Sequence, residues 1–254
     1  MTTFRAFYYK EWIESLRSMR AIILFIVCLI FGIGSPLLAK LMPEIMRGYK
    51  LNGVTISIPT PTAADSFAQF YHNFSQMGLI VLMLIFAGLL CQELTRGTLL
   101  LPLAKGLSRP AIVLAKYSYA LSLWTVCFAV SAAAQCGYTV YLFHHLPMRH
   151  LLLSFFCFWL FGALLPALLL LFGAWFKSSL AALGLSAAVI ALFFIGQSFL
   201  HWLRWNPMGL AGNASDILQG QMRWAAVETN SLSVLLSLAA ALIGASLLFS
   251  RKQL

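Results

Sequence analysis

Six stretches of this chain stay apolar long enough to cross a bilayer, and that decides most of what it can fold into. A hydrocarbon core about 30 Å thick takes about 20 residues of helix. The stretches are 21–39, 70–92, 111–143, 151–176, 179–200 and 231–249. Inside lipid every backbone N–H and C=O must be paired within the protein, which leaves helices or a closed barrel. Runs of this length are helices. The expected fold class is therefore all-α, a polytopic membrane protein with six transmembrane helices. Only 9% of the residues are charged and 61% are hydrophobic. A soluble domain carries about 25% charged residues, and this chain has too few to cover a surface in water.

The spans differ in how cleanly they read. The first run follows a long charged segment and exceeds the about 7–15 residues of a signal-peptide core, so it is expected to be retained. The second is strictly apolar only over Met77–Cys91 and spans the core only if it begins near Phe70. The third is longer than one crossing needs, which predicts a tilt or a protruding end. Pro166 predicts a kink in the fourth. Between the first and second spans, the run from Ile56 to Thr62 with Pro59 and Pro61 cannot be regular helix. It predicts an external loop, then a helix from about Ala63.

Charge gives the orientation. With the N-terminus inside, the inner segments hold Arg5, Lys10, Arg17, Arg20, Arg96, Lys105, Arg109, Lys116, Lys177, Arg251 and Lys252. The outer ones hold Lys40, Arg47, Lys50, Arg149, Arg204 and Arg223. Eleven against six puts both termini in the cytoplasm. The net charge of +10 is spread singly between apolar runs. That suits anionic headgroups and not nucleic acid. Residues 4–17 predict an amphipathic interfacial helix, with Phe4, Tyr8, Trp12 and Leu16 as its stripe and Lys10, Glu14 and Arg17 opposite. A plain extension of the first span fits the same residues. Segment 201–230, with Trp202, Trp205, Asn206-Pro207 and Trp224, predicts an outer re-entrant or interfacial hairpin.

The most specific stretch lies between the second and third spans. It runs Cys91-Gln92-Glu93-Leu94-Thr95-Arg96-Gly97-Thr98, then Leu107-Ser108-Arg109-Pro110, then Lys116. A carboxylate held at the centre of a span costs about 2.5–3.5 kcal/mol, less near the interface. Glu93 therefore wants a polar partner, and Arg96 and Arg109 are the candidates. Gly97 lets the backbone turn, and Thr98 is placed to cap a short helix over Leu99–Lys105. Two readings stand: snorkelling residues at helix ends, or a surface in a cytoplasmic loop (95–108) for a partner protein to push.

The pattern E-x-x-x-G-T, then S-R, then K seven residues after the arginine, resembles the permease subunits of type-2 ATP-binding-cassette export transporters. Here those positions are Glu93, Gly97, Thr98, Ser108, Arg109 and Lys116. The amphipathic start with its Arg17-Ser18-Met19-Arg20 end, the span count, Asn206-Pro207 and Arg251-Lys252 agree with it. The resemblance implies that two six-span subunits, copies or relatives, assemble with two cytoplasmic ATPases in the bacterial inner (cytoplasmic) membrane. It implies that Glu93, Arg96, Gly97, Thr98, Arg109 and Lys116 form the ATPase-coupling surface. It further implies that ATP and Mg belong to the partner, with no cofactor in this chain. The sequence holds no G-x-x-x-x-G-K-[ST] phosphate loop of its own.

Other residues carry less. His144, His145 and His150 lie close in sequence without an adjacent Cys, Asp or Glu, which favours solvated histidines over a metal site. Gln135 and Gln197, deep in the third and fifth spans, either line a cargo path or hydrogen-bond helices together. The five cysteines form no C-x-x-C pair and read as reduced packing residues. No catalytic set stands out, so no enzymatic activity is expected. The functional expectation is the membrane subunit of an ATP-driven exporter, with a hydrophobic or amphipathic cargo such as a peptide, drug or lipid. The alternative is a non-transporting membrane scaffold, an immunity or sensor component.

Overall fold

The computed structural model describes residues 2–48, 61–104, 106–146, 149–176, 178–199 and 205–252, with the side chains of all but 2, 3, 43–48, 198 and 199. The described residues build α1 (Thr2–Arg17), α2 (Arg20–Gly48), α3 (Ala63–Asn73), a π-helical turn (Phe74–Gly78), α4 (Leu79–Phe86), α5 (Cys91–Arg96) and α6 (Leu100–Ala104). There follow α7 (Arg109–Phe143), α8 (Leu151–Trp175), α9 (Ser179–Phe199), α10 (Gly209–Gly212), α11 (Ala214–Gln219) and α12 (Trp224–Arg251). Among the described residues, six helices are long and apolar enough to cross a membrane: Arg20–Met42, Ala63–Arg96, Arg109–Phe143, Leu151–Trp175, Ser179–Gln197 and Trp224–Arg251. The all-α, six-span expectation holds.

Several boundaries lie elsewhere than the apolar runs placed them. The helix of the first span, α2, passes Lys40 and continues to Gly48. The second span is not short. It begins at Ala63, where Thr62 and Asp65 form a capping box: Thr62 N and Oγ1 both donate to the Asp65 carboxylate at 2.8 Å. It runs 34 residues to Arg96. Its first half escaped an apolar count because it carries Ser66, Gln69, His72, Asn73 and Gln76. The last span starts at Trp224, seven residues before Ser231, the start that apolarity suggested. The segment read as a hairpin contains two short helices, α10 and α11, whose buried Leu210, Ala211, Ile217 and Leu218 join the core. The run 56–60 and Lys105, His201 and Trp202 lie outside the described residues.

α8 is the centre. Phe158, Phe161, Leu164, Leu165, Ala167 and Leu170 are fully or almost fully buried, and the helix continues through Pro166. An aromatic cluster binds it to its neighbours: Phe70 and Phe74 of span 2, Trp124 and Phe128 of α7, and Phe155 and Phe158 of α8. α2 crosses α7 closely. A Cβ on Gly32 would lie 2.5 Å from the Ser131 carbonyl oxygen, and Ser131 Oγ donates to the Cys28 carbonyl at 2.6 Å. α2 and span 2 are antiparallel. Arg20 donates to Gln92 Oε1 at 2.7 Å at one end, and Asn73 donates to Ser35 Oγ at 3.2 Å towards the other. α7 is 35 residues, about 52 Å at 1.5 Å per residue, and so outruns a bilayer core. Lys116, near its start, stands level with Glu93, and α1 packs against this first part of the helix.

Candidate functional site

The site lies where α1, the end of span 2 and the start of α7 meet. α1 ends at Arg17. The chain turns through Met19, with φ 61°, into α2, which folds α1 back against α7. The face of α1 that goes inward is Phe7, Glu11 and Ser15, each about 5% exposed. Tyr8 donates to Ser122 Oγ at 2.9 Å, and the Trp12 ring meets the edge of Tyr119 at 5.7 Å. This corrects the expected stripe. Phe4, Tyr8 and Trp12 flank the contact and Leu16 is half exposed, while the centre of the buried face carries a carboxylate.

That carboxylate, Glu11, accepts from Lys116 Nζ at 2.9 Å. Lys116 is almost wholly buried and also faces Glu93 Oε2 at 2.7 Å. Lys10 pairs with the other Glu93 oxygen, with Glu14 at 3.1 Å and with Glu11 at 3.5 Å. Both ammonium groups also sit over the Phe7 ring, 5.2 Å and 5.5 Å from its centroid. Burial works against the charge on Lys10, but the hydrogen bond and charge of Glu93, with Glu11 and Glu14 beyond, outweigh it and raise its pKa above the ordinary lysine value. Its share of the stability is thus complete below that ordinary value. It is lost only as the pH climbs through the raised one, so the neutral range leaves it untouched.

Three carboxylates whose oxygens lie within 4.8 Å of one another would suit a cation. Here two ammonium groups already occupy that position, which makes the cluster an ion-pair network. Beside it opens a cleft of about 380 Å³, lined on one side by Lys10, Glu14 and Arg20 and on the other by Gln92, Glu93 and Arg96.

The structure divides the sequence-picked residues. Glu93 and Lys116 come together. Arg96 lines the cleft, exposed, and Gly97 ends α5 in the left-handed conformation with φ 69°. Thr98 is exposed, and its hydroxyl donates back to the Glu93 carbonyl at 3.5 Å. Arg109 does not partner Glu93. It stands at the start of α7 and donates to the carbonyls of Phe249, Ser250 and Lys252, at 3.2, 2.7 and 2.6 Å. The last carbonyls of a helix have no partner within it and carry negative partial charge, so an arginine binds there readily. Lys252 in turn donates to the carbonyls of Ala174 and Trp175 at the end of α8. The helix ends behind the loop are thus tied together.

Glu11 was missed, and Lys10 was placed on the polar face of α1 without its partner Glu93. The available signal was the wheel of α1, where Glu11 falls about 20° from Phe4 at 100° per residue. A carboxylate within an aromatic face requires a cation from elsewhere in the fold.

The remaining candidates separate. Gln135 is buried and donates to the Ser66 carbonyl at 3.1 Å and Ser66 Oγ at 2.9 Å, a link between span 2 and α7. Gln197 is partly exposed near the end of α9. His150 packs edge-on to Trp224, while His144 ends α7 and His145 meets the Phe143 carbonyl, so the three share no centre. All five cysteines are free thiols.

Residues 5–204 match the sequence profile of the ABC-2 family transporter proteins. The chain belongs to that family. An uncharacterized transmembrane protein from Bacillus subtilis (strain 168), YxlG, is 24% identical over 224 residues, 86% of each chain. An ABC-2 chain with these six spans is a multi-pass membrane protein, and the ion-pair network lies at one end of its bundle, where span 2 ends in α5 and α6 leads on to α7.

Proposed function

We propose that this chain is the membrane-spanning subunit of an ATP-driven exporter. It forms the cargo path with a second copy or a related permease, and two cytoplasmic ATPases drive it. The observation that carries the reading is the network of the buried Glu93, Lys116 and Glu11 with the half-exposed Lys10. It joins a helix outside the spans to the ends of two spans, directly behind α6. α6 presents Leu100 and Leu101, 55% and 69% exposed, while the neighbouring Leu99 anchors it in the core. A force applied to α6 or α1 reaches spans 2 and 3 through the buried Glu11–Lys116–Glu93 contacts. The Arg109 clamp extends the same rigid base to α12 and α8.

Purification in mild detergent should recover an ATP-binding-cassette ATPase in near-equal ratio. Leu101→Asp should lose that ATPase without losing membrane insertion. Glu93→Gln should keep the ATPase bound and abolish the change in tryptophan fluorescence that ATP produces in the wild-type complex. Recovery of the wild-type chain with no ATPase would transfer the reading to a membrane scaffold. An unaltered ATP response in Glu93→Gln would remove the network from the coupling route.

A further inference from the structure

The first half of span 2 has a surface that does not belong in lipid. Asp65, Gln69, His72 and Gln76 follow at intervals of four and three residues along one face. His72 and Gln76 are exposed, Gln69 partly so. Depth can be read from the neighbouring helix. Asn73 bonds Ser35, five residues before Lys40 on α2, which places it about 7 Å below the Lys40 level at 1.5 Å per residue. Gln76 is three residues further along, about 12 Å below that level in a core about 30 Å thick. An amide facing hydrocarbon without a partner costs several kcal/mol.

Internal bonds cover only part of this demand. Gln69 donates to Asn73 Oδ1 at 2.9 Å, and Gln76 Nε2 meets His72 Nε2 at 3.1 Å. Gln76 Oε1 and His72 Nδ1 have no partner among the described residues. The π-helical turn at Phe74–Gly78 widens the helix at this depth. Such turns concentrate at functional positions. From Met77 onwards this side of the helix becomes apolar, with Met77, Ile80 and Leu84 all more than half exposed.

We infer that this open face of span 2 lines a water-accessible track along the outside of the subunit's bundle, and that the track takes an amphipathic molecule with an uncharged, hydrogen-bonding head. The head lies against His72 and Gln76, and the apolar part lies along Met77, Ile80 and Leu84. Asp65 stands at the helix start, eleven residues before Gln76, with its carboxylate engaged in the Thr62 cap, and at the depth of the head Gln69 and Gln76 offer amide donors and acceptors. The cargo class rests on the exporter reading; the water-lined face does not.

The test uses His72→Cys and Gln76→Cys in the full chain in membrane vesicles, with a charged, membrane-impermeant thiol reagent. The wild-type chain sets the background from its own five cysteines. Ile30→Cys and Leu192→Cys, exposed apolar positions on other spans, serve as lipid-facing controls. Labelling at 72 and 76 should be at least tenfold faster than at the controls. Equal rates would overturn the track, and so would spontaneous disulfide dimers at 76 without labelling, which mark a dry seam between copies. Monooleoylglycerol should slow labelling at 76 at least threefold, and oleyl sulfate at equal membrane content should not. Equal or absent slowing would overturn the uncharged head. None of these readouts needs an ATPase, so loss of the exporter reading and loss of the track remain distinguishable.

Discussion

At the scale of single residues, the ion-pair network is unbalanced. Two ammonium groups stand among three carboxylates, Glu11, Glu14 and Glu93, of which Glu14 is half exposed. The imbalance makes opposite substitutions unequal. Lys116→Met leaves Glu11 and Glu93 buried with Lys10 alone, and removing one partner of a buried pair costs about 3–5 kcal/mol. Glu93→Gln leaves two lysines with two carboxylates, and every buried charge keeps a partner. Thermal unfolding in detergent should therefore show a large loss for Lys116→Met and a much smaller one for Glu93→Gln. Equal losses would mean that the charges are independent of one another. Half of this network was legible beforehand. Glu93 stood out because a carboxylate at the mouth of a span is costly, and Lys116 because it completes the E-x-x-x-G-T, S-R, K pattern. Their pairing was not legible. Arg109, closer to Glu93 in sequence, looked the better partner, and only the fold shows it turned to the end of α12.

At the scale of elements, Arg109 acts as a bracket between helices. Its guanidinium holds two carbonyls of the last turn of α12 and that of Lys252 just beyond it, and the Lys252 ammonium holds two at the end of α8. Arg109→Gln should fray the α12 end. Amide exchange over residues 249–252 should rise several-fold while exchange around Glu93 stays as in the wild type. A rise around Glu93 instead would restore the Glu93–Arg109 pairing that the sequence suggested. Span 2 shows why element boundaries resist reading from hydropathy. Its start is marked by the Thr62–Asp65 capping box and was expected near Ala63 on turn chemistry. Its apolar count failed because the polar stripe from Gln69 to Gln76 lies inside the span. A property of function thus concealed a property of fold. α2 and α12 were misjudged for another reason: their helices outlast their apolar runs, because a helix end protruding beyond the bilayer needs no apolar residues.

For the molecule as a whole, burial is uneven. The apolar window of α8 is 72% buried and that of α9 only 17%. α8 is enclosed through its middle, from Cys157 to Leu170, while α9 rests mainly on α8. Asn206 fastens the chain after it, with Nδ2 donating to the Phe193 carbonyl at 2.8 Å and Oδ1 accepting from Met208 N at 3.0 Å. Amides of α9 should exchange well before those of α8 in detergent; equal protection would contradict the packing order. Fold class and span count were legible because lipid leaves so few solutions to an apolar chain. The order of packing was not, since α8 and α9 read alike in hydropathy, 2.4 against 2.3. The difference lies in which faces find neighbours.

The seat of α1 also sets a schedule for assembly. Glu11 leaves the ribosome 105 residues before Lys116, the cation that its burial requires. At about 5–20 residues per second, synthesis of that interval takes about 5–20 s. During it Glu11 has no Lys116 and no α7 surface to sit against. The first helix to be made therefore docks only after the third span has arrived, and a translocation defect that stalls the chain before α7 would leave it unseated.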